Sequence, residues 1–337
     1  MTQLPETMRA LILKGDGYSG TSEGPEMQDA GQFLEVGEVA VPQLAEGEAL
    51  VRMKLAVVNP SDLHFVKGEY GAARVAGAPA GFEGVGEVVA GETPLVGQRV
   101  SVAGAGIGAW AEYCKVPSQT LIPCHPTLKD TDAAAQVVNP LTAMALFEIG
   151  RAGGGIIVTA ALSQLGRMLL QLGAEADVLT IAVVRRPEQA DAAKAAGASE
   201  VIVTDGDWAR DAVQIVTTHK ARALIDAVGD QAAADLFEMM PAGAVWTSYG
   251  KLSPQMPTLN SLGHMIFMGK RIEGFWLTRW FKETPPAEIA RLIGEVQARF
   301  VDGRWSTGVA RVTPLDGAIE ALSGALSSEG KTFIDLS

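Results

Sequence analysis

Cysteine is nearly missing from this chain of 337 residues, which holds only Cys114 and Cys124. Two thiols exclude both a disulfide framework and a four-thiolate zinc site. Histidine is almost as scarce, and the four present (His64, His125, His219 and His264) show no metal-ligand spacing. Basic charge is in deficit: 27 Lys and Arg stand against 39 Asp and Glu, a formal net charge of −12. A general affinity for nucleic acid or for an anionic membrane is therefore not expected. No uninterrupted apolar run of about 18 residues occurs, so no membrane span is expected. Met1–Met8 lacks the basic and apolar regions of a signal peptide, and the economical expectation is a cytoplasmic enzyme. What the chain does have is ordinary globular material: 47% apolar and 20% charged residues, with 38 glycines that forecast tight turns. Its length suits two domains, each with its own core.

The first 125 residues or so read as short β-rich segments between Gly and Pro, among them Met8–Lys14, Glu48–Val58, Gly84–Val89, Arg99–Val102 and Trp110–Val116. The polar, glycine-rich stretch from Gly15 to Gly31 has no periodicity and is expected as an exposed loop. From about Thr131 helical and strand patterns alternate. Strands are expected at Gly155–Ala160, Val178–Val184, Val201–Thr204, Ala223–Val228 and Ala244–Ser248, with helices between them. That alternation predicts an α/β fold with a doubly wound parallel sheet. A helix from Pro286 to Phe300 and mixed elements after it fit better on the first domain than as a third one. The expected division is therefore 1–128, completed by 279–337, and 129–278.

The first strand–turn–helix of the alternating part is IIVTAALSQLGRMLLQLG. A dinucleotide fingerprint would place glycines at Ala161, Ser163 and Gly166, of which only Gly166 is present. The small residues at the other two positions still let helix-start N–H groups approach a pyrophosphate. Without its context the segment would read as an ordinary tight turn. The second strand, LTIAVV, ends in Arg185–Arg186, where NAD-binding chains carry an acidic residue to hold the ribose. Guanidinium groups bind a 2′-phosphate through charge-assisted hydrogen bonds, whereas a carboxylate repels it. Cations at a helix start oppose the helix dipole, which an anion there would offset. The reading is NADPH over NADH, with a solvated basic pair as the bland alternative.

Seven segments occur in order: NPSDLH (Asn59–His64), GEYG (Gly68–Gly71), GFEGVG (Gly81–Gly86), VNPLTA (Val138–Ala143), DAVG (Asp226–Gly229), SYGKLS (Ser248–Ser253) and GFWLTRW (Gly274–Trp280). Together they resemble the zinc-free branch of the medium-chain dehydrogenases/reductases, the quinone-reductase superfamily. Within it, VNPLTA and GFWLTRW look most like mitochondrial-type trans-2-enoyl-thioester reductases. The resemblance implies a GroES-like catalytic domain, a Rossmann cofactor domain and commonly a homodimer. Zinc-dependent relatives carry ligands where Asn59, Phe82 and Asn139 stand here, so no metal is expected. Hydride delivery to a polarised C=C needs only an enolate-stabilising donor and a proton source.

The resemblance makes Tyr70 that source, since a phenol is protonated at neutral pH. The alternative is a tyrosine that merely anchors a loop. The resemblance also puts Asn139 near the nicotinamide, with Thr142 of the same motif on the cofactor. It puts Leu162, Ser163, Gln164, Leu165 and Gly166 around the pyrophosphate and Arg185 and Arg186 at the 2′-phosphate. Tyr249, Gly250, Lys251 and Leu252 are expected along the cofactor, as are Phe275, Trp276, Leu277 and Thr278, with Lys331 near its phosphates. Phe275 and Trp276 as edge-strand core, Lys331 as a surface lysine and Asn59–Asp62 as a plain turn with a helix cap stand beside these roles. The expected activity is NADPH-dependent reduction of a small-molecule 2-enoyl thioester; a quinone or small enone is the alternative. A non-catalytic NADPH-binding protein, crystallin-like or RNA-binding, is the third class, and the net charge argues against RNA.

Overall fold

A computed structural model of the chain describes residues 4–324 and 330–337. In chain order the strands and helices begin with β1 (Thr7–Leu13), β2 (Leu34–Ala40), β3 (Glu48–Val57), α1 (Pro60–Lys67), β4 (Glu83–Gly91), β5 (Arg99–Ala103), β6 (Tyr113–Pro117) and β7 (Ile122–Pro123). Next come α2 (Asp130–Ala133), α3 (Val138–Arg151), β8 (Ile156–Val158), α4 (Gln164–Glu175), β9 (Thr180–Val184), α5 (Ala190–Ala195), β10 (Glu200–Val203) and α6 (Ala209–His219). They are followed by β11 (Ala223–Asp226), α7 (Gln231–Met239), β12 (Val245–Ser248), α8 (Gly263–Ile266), β13 (Arg271–Gly274) and α9 (Leu277–Glu283). The last are α10 (Pro286–Val301), β14 (Val309–Pro314), α11 (Ala318–Leu322) and β15 (Lys331–Asp335).

Two compact units result, Met1–Val138 with Ala287–Ser337, and Asn139–Pro286. The first is built on a mixed sheet that runs β14-β15-β3-β4-β5-β7, with β6 also paired to β3, antiparallel except for the parallel β14–β15 pair, and on the antiparallel β1–β2 pair. The C-terminal strand β15 pairs with β3, Phe333 opposite Val57, so the chain's last strand completes its first unit. Buried Leu11, Met53, Phe65, Phe82, Val100, Trp110 and Ile334 form its core.

The second unit is a parallel sheet in the order β10-β9-β8-β11-β12-β13. Numbered from the first strand of the unit this is 3-2-1-4-5-6, the order of two mononucleotide-binding halves, with the winding direction reversing between β8 and β11. Its short strands are apolar because helices cover both faces: Ile157, Ile181, Leu224 and Trp246 lie in one core with Phe237 of α7 and Val216 of α6. The strand β13 is an edge, and all four of its residues are exposed.

Two expectations need correction. The sequence from Asp132 to Gly150 reads as one helical region, but the structure divides it into α2 and α3, and between them Gln136 donates to Ser101 Oγ at 2.6 Å. The Gly15–Gly31 stretch is irregular but not simply exposed: Gly24, Pro25, Met27 and Ala30 are buried.

Candidate active site

The turn between β8 and α4 shows why position 166 is glycine. A Cβ there would stand 2.6 Å from the carbonyl oxygens of both Ala160 and Ala161, so only glycine lets the helix start this close to the turn. Ala160 itself adopts a left-handed φ of 47°, a strained conformation for a residue with a side chain. Ser163 caps the helix by accepting from Gly166 N at 3.1 Å. The result is a 12-residue helix whose N-terminus meets the carboxyl edge of the sheet at the reversal point, the place where a pyrophosphate is favoured.

Because the sheet is parallel, the segments that follow β8, β9, β12 and β13 share that edge. Leu162–Gly166, Arg185–Arg186, Tyr249–Leu252 and Phe275–Thr278 are these segments. The backbone N–H groups of Arg185 and Arg186 both donate to Gln189 Oε1 at 3.1 Å, which orients the turn. The Arg186 guanidinium pairs with Glu188 at 2.9 Å. Arg185 is exposed and has no ion pair among the described residues. Gly250 approaches Ala227 O so closely that a Cβ would lie 2.9 Å from it. Phe275 N donates to Ser248 O at 2.8 Å, and Trp276 is the N-cap residue of α9. Asn139 and Thr142 lie in the first turn of α3, the former half-buried and the latter buried.

Sequence reasoning missed the residue that ties this edge together. Asp226 is fully buried at the end of β11 and accepts from Thr159 Oγ1 (2.6 Å), Val228 N (2.9 Å), Gly229 N (3.0 Å) and Trp246 Nε1 (3.0 Å). It links the ends of β8, β11 and β12 at the reversal point. Burial pushes its pKa up, opposed by those donors. The available signal was a carboxylate in an otherwise apolar strand, ALID. Tyr249, one of the expected residues, donates its backbone N–H to Asp226 O at 2.9 Å, and its buried hydroxyl has no hydrogen-bond partner among the described residues. Burial first, and the nearby Asp226 charge second, raise the Tyr249 phenol above its ordinary range.

In the first unit, Tyr70 follows α1, which Gly68 ends in a left-handed conformation at φ 79°. Its ring packs on Phe82 with centroids 5.1 Å apart, and Phe82 packs in turn on Phe65 at 5.0 Å. Lys331, expected at cofactor phosphates, donates to Asn59 Oδ1 at 2.6 Å, and Asn59 Nδ2 donates to Glu83 Oε2 at 3.1 Å. Glu83 Oε1 also takes the N–H groups of Val137 (2.6 Å) and Val138 (3.0 Å). Asp62 caps α1 by accepting from Asn59 N at 2.8 Å. Burial pushes Asp62 and Glu83 up to about 7 and Lys331 down to about 8. A divalent cation does not fit beside Asn59, because the Lys331 ammonium already sits on its carbonyl oxygen and would repel it. Among the described residues no cluster of three His, Cys, Asp or Glu side chains is placed to hold a metal. No helix of the described residues is long and apolar enough to cross a membrane.

Comparison with known proteins agrees with the two-unit fold. The family model "Alcohol dehydrogenase GroES-like domain" matches residues 45–126, and "Zinc-binding dehydrogenase" matches residues 164–294. A crystal structure from Mesorhizobium loti, provisionally described as an NADPH:quinone reductase, is 39% identical with a TM-score of 0.92, covering 99% of this chain and 100% of that one. The human mitochondrial enoyl-[acyl-carrier-protein] reductase is 28% identical over 335 residues, covering 96% of this chain and 86% of that protein. A mitochondrial 2-enoyl thioester reductase heterodimer from Candida tropicalis shares the fold at a TM-score of 0.77 and 21% identity, over 98% of this chain and 99% of that one. The chain belongs to the medium-chain dehydrogenase/reductase superfamily, with its GroES-like and Rossmann-type domains.

Proposed function

We propose that this protein is an NADPH-dependent reductase of activated C=C bonds whose substrates are trans-2-enoyl thioesters, with Tyr70 as the proton donor. The observation that carries the reading is the Tyr70 phenol, set in the GEYG turn behind α1 and braced against Phe82. Family membership and the relatives named as enoyl reductases support it.

The cofactor edge fits NADPH on this chain's own features: the glycine-only approach at Gly166, the capped start of α4, and an exposed Arg185 with no ion pair among the described residues. Arg185 would hold the 2′-phosphate and the N-terminus of α4 the pyrophosphate, with Tyr249–Leu252, Phe275–Thr278, Asn139 and Thr142 along the remainder. Bound there, NADPH supplies the hydride that reduces the β-carbon. Tyr70 then gives its phenolic proton to the α-carbon as the enolate collapses, and recovers one from water. A proton donor of this kind is worth on the order of 10²- to 10⁴-fold in rate. Tyr70→Phe should lose that much in kcat on crotonyl-CoA, followed by NADPH absorbance; unchanged turnover would sink Tyr70 as the acid.

The relative of 39% identity favours a second reading, reduction of a quinone or small enone by the same residues. Crotonyl-CoA and a simple quinone assayed side by side separate the two. We further propose a homodimer formed through the second unit. There the open edge strand β13 carries exposed Ile272, and the segment leading to it exposes Met256, Leu262, Ile266 and Phe267, the last 85% exposed. An open edge strand near several exposed apolar side chains is suited to a second copy of the same edge.

A further inference from the structure

The Gly15–Gly31 stretch is strapped to the segment that carries Tyr70. Gly17 and Arg74 exchange two backbone hydrogen bonds at 3.0 and 3.1 Å, and Ser19 N donates to Gly68 O at 2.9 Å. Buried Arg74 reaches across both segments, donating to Val66 O (2.9 Å), Gly17 O (3.2 Å) and Asp16 O (3.3 Å). The fit is close enough that a Cβ on Gly68 would lie 2.6 Å from the Arg74 guanidinium and 2.7 Å from Ser19 N. Buried Lys67 donates to Gly24 O at 2.8 Å.

Glu69 is the hub of this arrangement. Its side chain is only 4% exposed, and Oε1 accepts from Thr21 Oγ1 and from Glu23 N, each at 3.0 Å. Lys67 Nζ lies 3.4 Å from the same oxygen, and His64 Nδ1 lies 3.4 Å from Oε2. A carboxylate is the one side chain of this size that offers only acceptors to several donors at once. Burial would raise its pKa, but the Glu23 N–H, the Thr21 hydroxyl and Lys67 outweigh it and hold it below the usual carboxylate value. Tyr70 is the next residue. Its ring is braced by Phe82, and the residue before it in the GEYG turn is fastened to the strap through the Glu69 carboxylate.

We propose that Glu69 is a positioning residue for Tyr70: by fastening the Gly15–Gly31 strap to the GEYG turn, it fixes where the phenol delivers its proton. This rests on the reductase reading above, with Tyr70 as donor. A displacement of about 1 Å in a reacting group can cost on the order of 10²-fold in rate, so a hub with this many contacts beside the donor is where precision would be lost.

The test uses the full chain and a 2-methyl-2-enoyl-CoA thioester, whose reduced product acquires a stereocentre at the α-carbon that Tyr70 protonates. In Glu69→Gln an amide N–H₂ replaces an acceptor and the Lys67 ion pair is lost. Its expected signature is a kcat lower by about tenfold, an unchanged KM for NADPH, a larger solvent deuterium isotope effect and partial loss of configuration at the α-carbon. A merely structural contact would lower the amount of folded enzyme without changing the isotope effect or the configuration. Thr21→Val removes one exposed donor and keeps the measurement available if Glu69→Gln does not fold; it should move in the same direction by less. The double variant should fall short of the product of the two effects, since both act through one contact. Wild-type configuration and isotope effect in both folded single variants would overturn the inference. Failure of the reductase reading shows earlier and separately, as a wild-type enzyme that turns over no 2-enoyl thioester or enone, and it would take this inference with it.

Discussion

Arg185 and Arg186 are neighbours in sequence with different fates. Arg186 is paired with Glu188 at 2.9 Å, so an arriving phosphate would have to compete with a carboxylate for it. Arg185 meets no such competition among the described residues. Charge-assisted hydrogen bonds are worth about 1.5–3 kcal/mol each, on the order of 10- to 100-fold in affinity. Arg185→Ala should raise the KM for NADPH by that factor and leave NADH unaffected, with a smaller effect for Arg186→Ala; steady-state kinetics with both cofactors checks this. Asp62 makes a different kind of prediction. Its folded pKa, about 7, lies above the ordinary value, because burial first and the neighbouring Glu83 charge second outweigh its hydrogen bonds and Lys331. A raised carboxyl contributes stability that is fully present below its unfolded pKa and is lost as pH rises through the folded one. Thermal midpoints should therefore fall between about pH 4 and pH 7, and Asp62→Asn should flatten that fall.

The β8–α4 turn is where one missing methyl group matters most. Gly166→Ala would press a Cβ against two backbone carbonyls that belong to a strained turn and cannot retreat as a side chain could. Overpacking of this kind costs about 1–3 kcal/mol, and urea unfolding should show the loss together with weaker NADPH binding. The turn's glycine was legible because a helix packed on its strand needs one at that spacing. The Asp226 network beside it was not, since two of its donors, Thr159 just after β8 and Trp246 in β12, lie 67 and 20 positions away and join the local N–H groups of Val228 and Gly229. The strap is a similar case. Its glycines and polar residues read correctly as irregular structure, but burial of Met27 and Ala30 follows from contacts with distant segments, such as Ala30 N with Ser323 Oγ across 293 positions.

For the molecule as an assembly, the exposed apolar surface of the second unit is the feature that a monomer leaves unexplained. Monomers rarely expose contiguous apolar patches of more than a few hundred Å². Light scattering coupled to size exclusion should give twice the chain mass for the wild type, and Phe267→Glu combined with Ile272→Lys should give a monomer; a monomeric wild type at micromolar concentration would remove the dimer proposal. The net charge of −12 bears on substrate choice at the same level. A small CoA thioester pays little for an acidic surface, whereas an acidic carrier protein is repelled, so any turnover of a carrier-bound substrate should rise with added salt as the repulsion is screened.

By itself the sequence determined the α/β class, the alternation that makes the parallel sheet, and the glycine of the β8–α4 turn. Each of these depends on local periodicity or on a glycine, proline or charge at a fixed distance from a strand end. The tertiary structure alone decided which arginine pairs with Glu188, that Lys331 lies on Asn59 from 272 residues away, that Asp226 joins the ends of β8 and β11, and that Glu69 fastens a distant strap beside Tyr70. These are side-chain contacts between segments far apart in the chain, and no period or spacing encodes which polar group a buried donor will find.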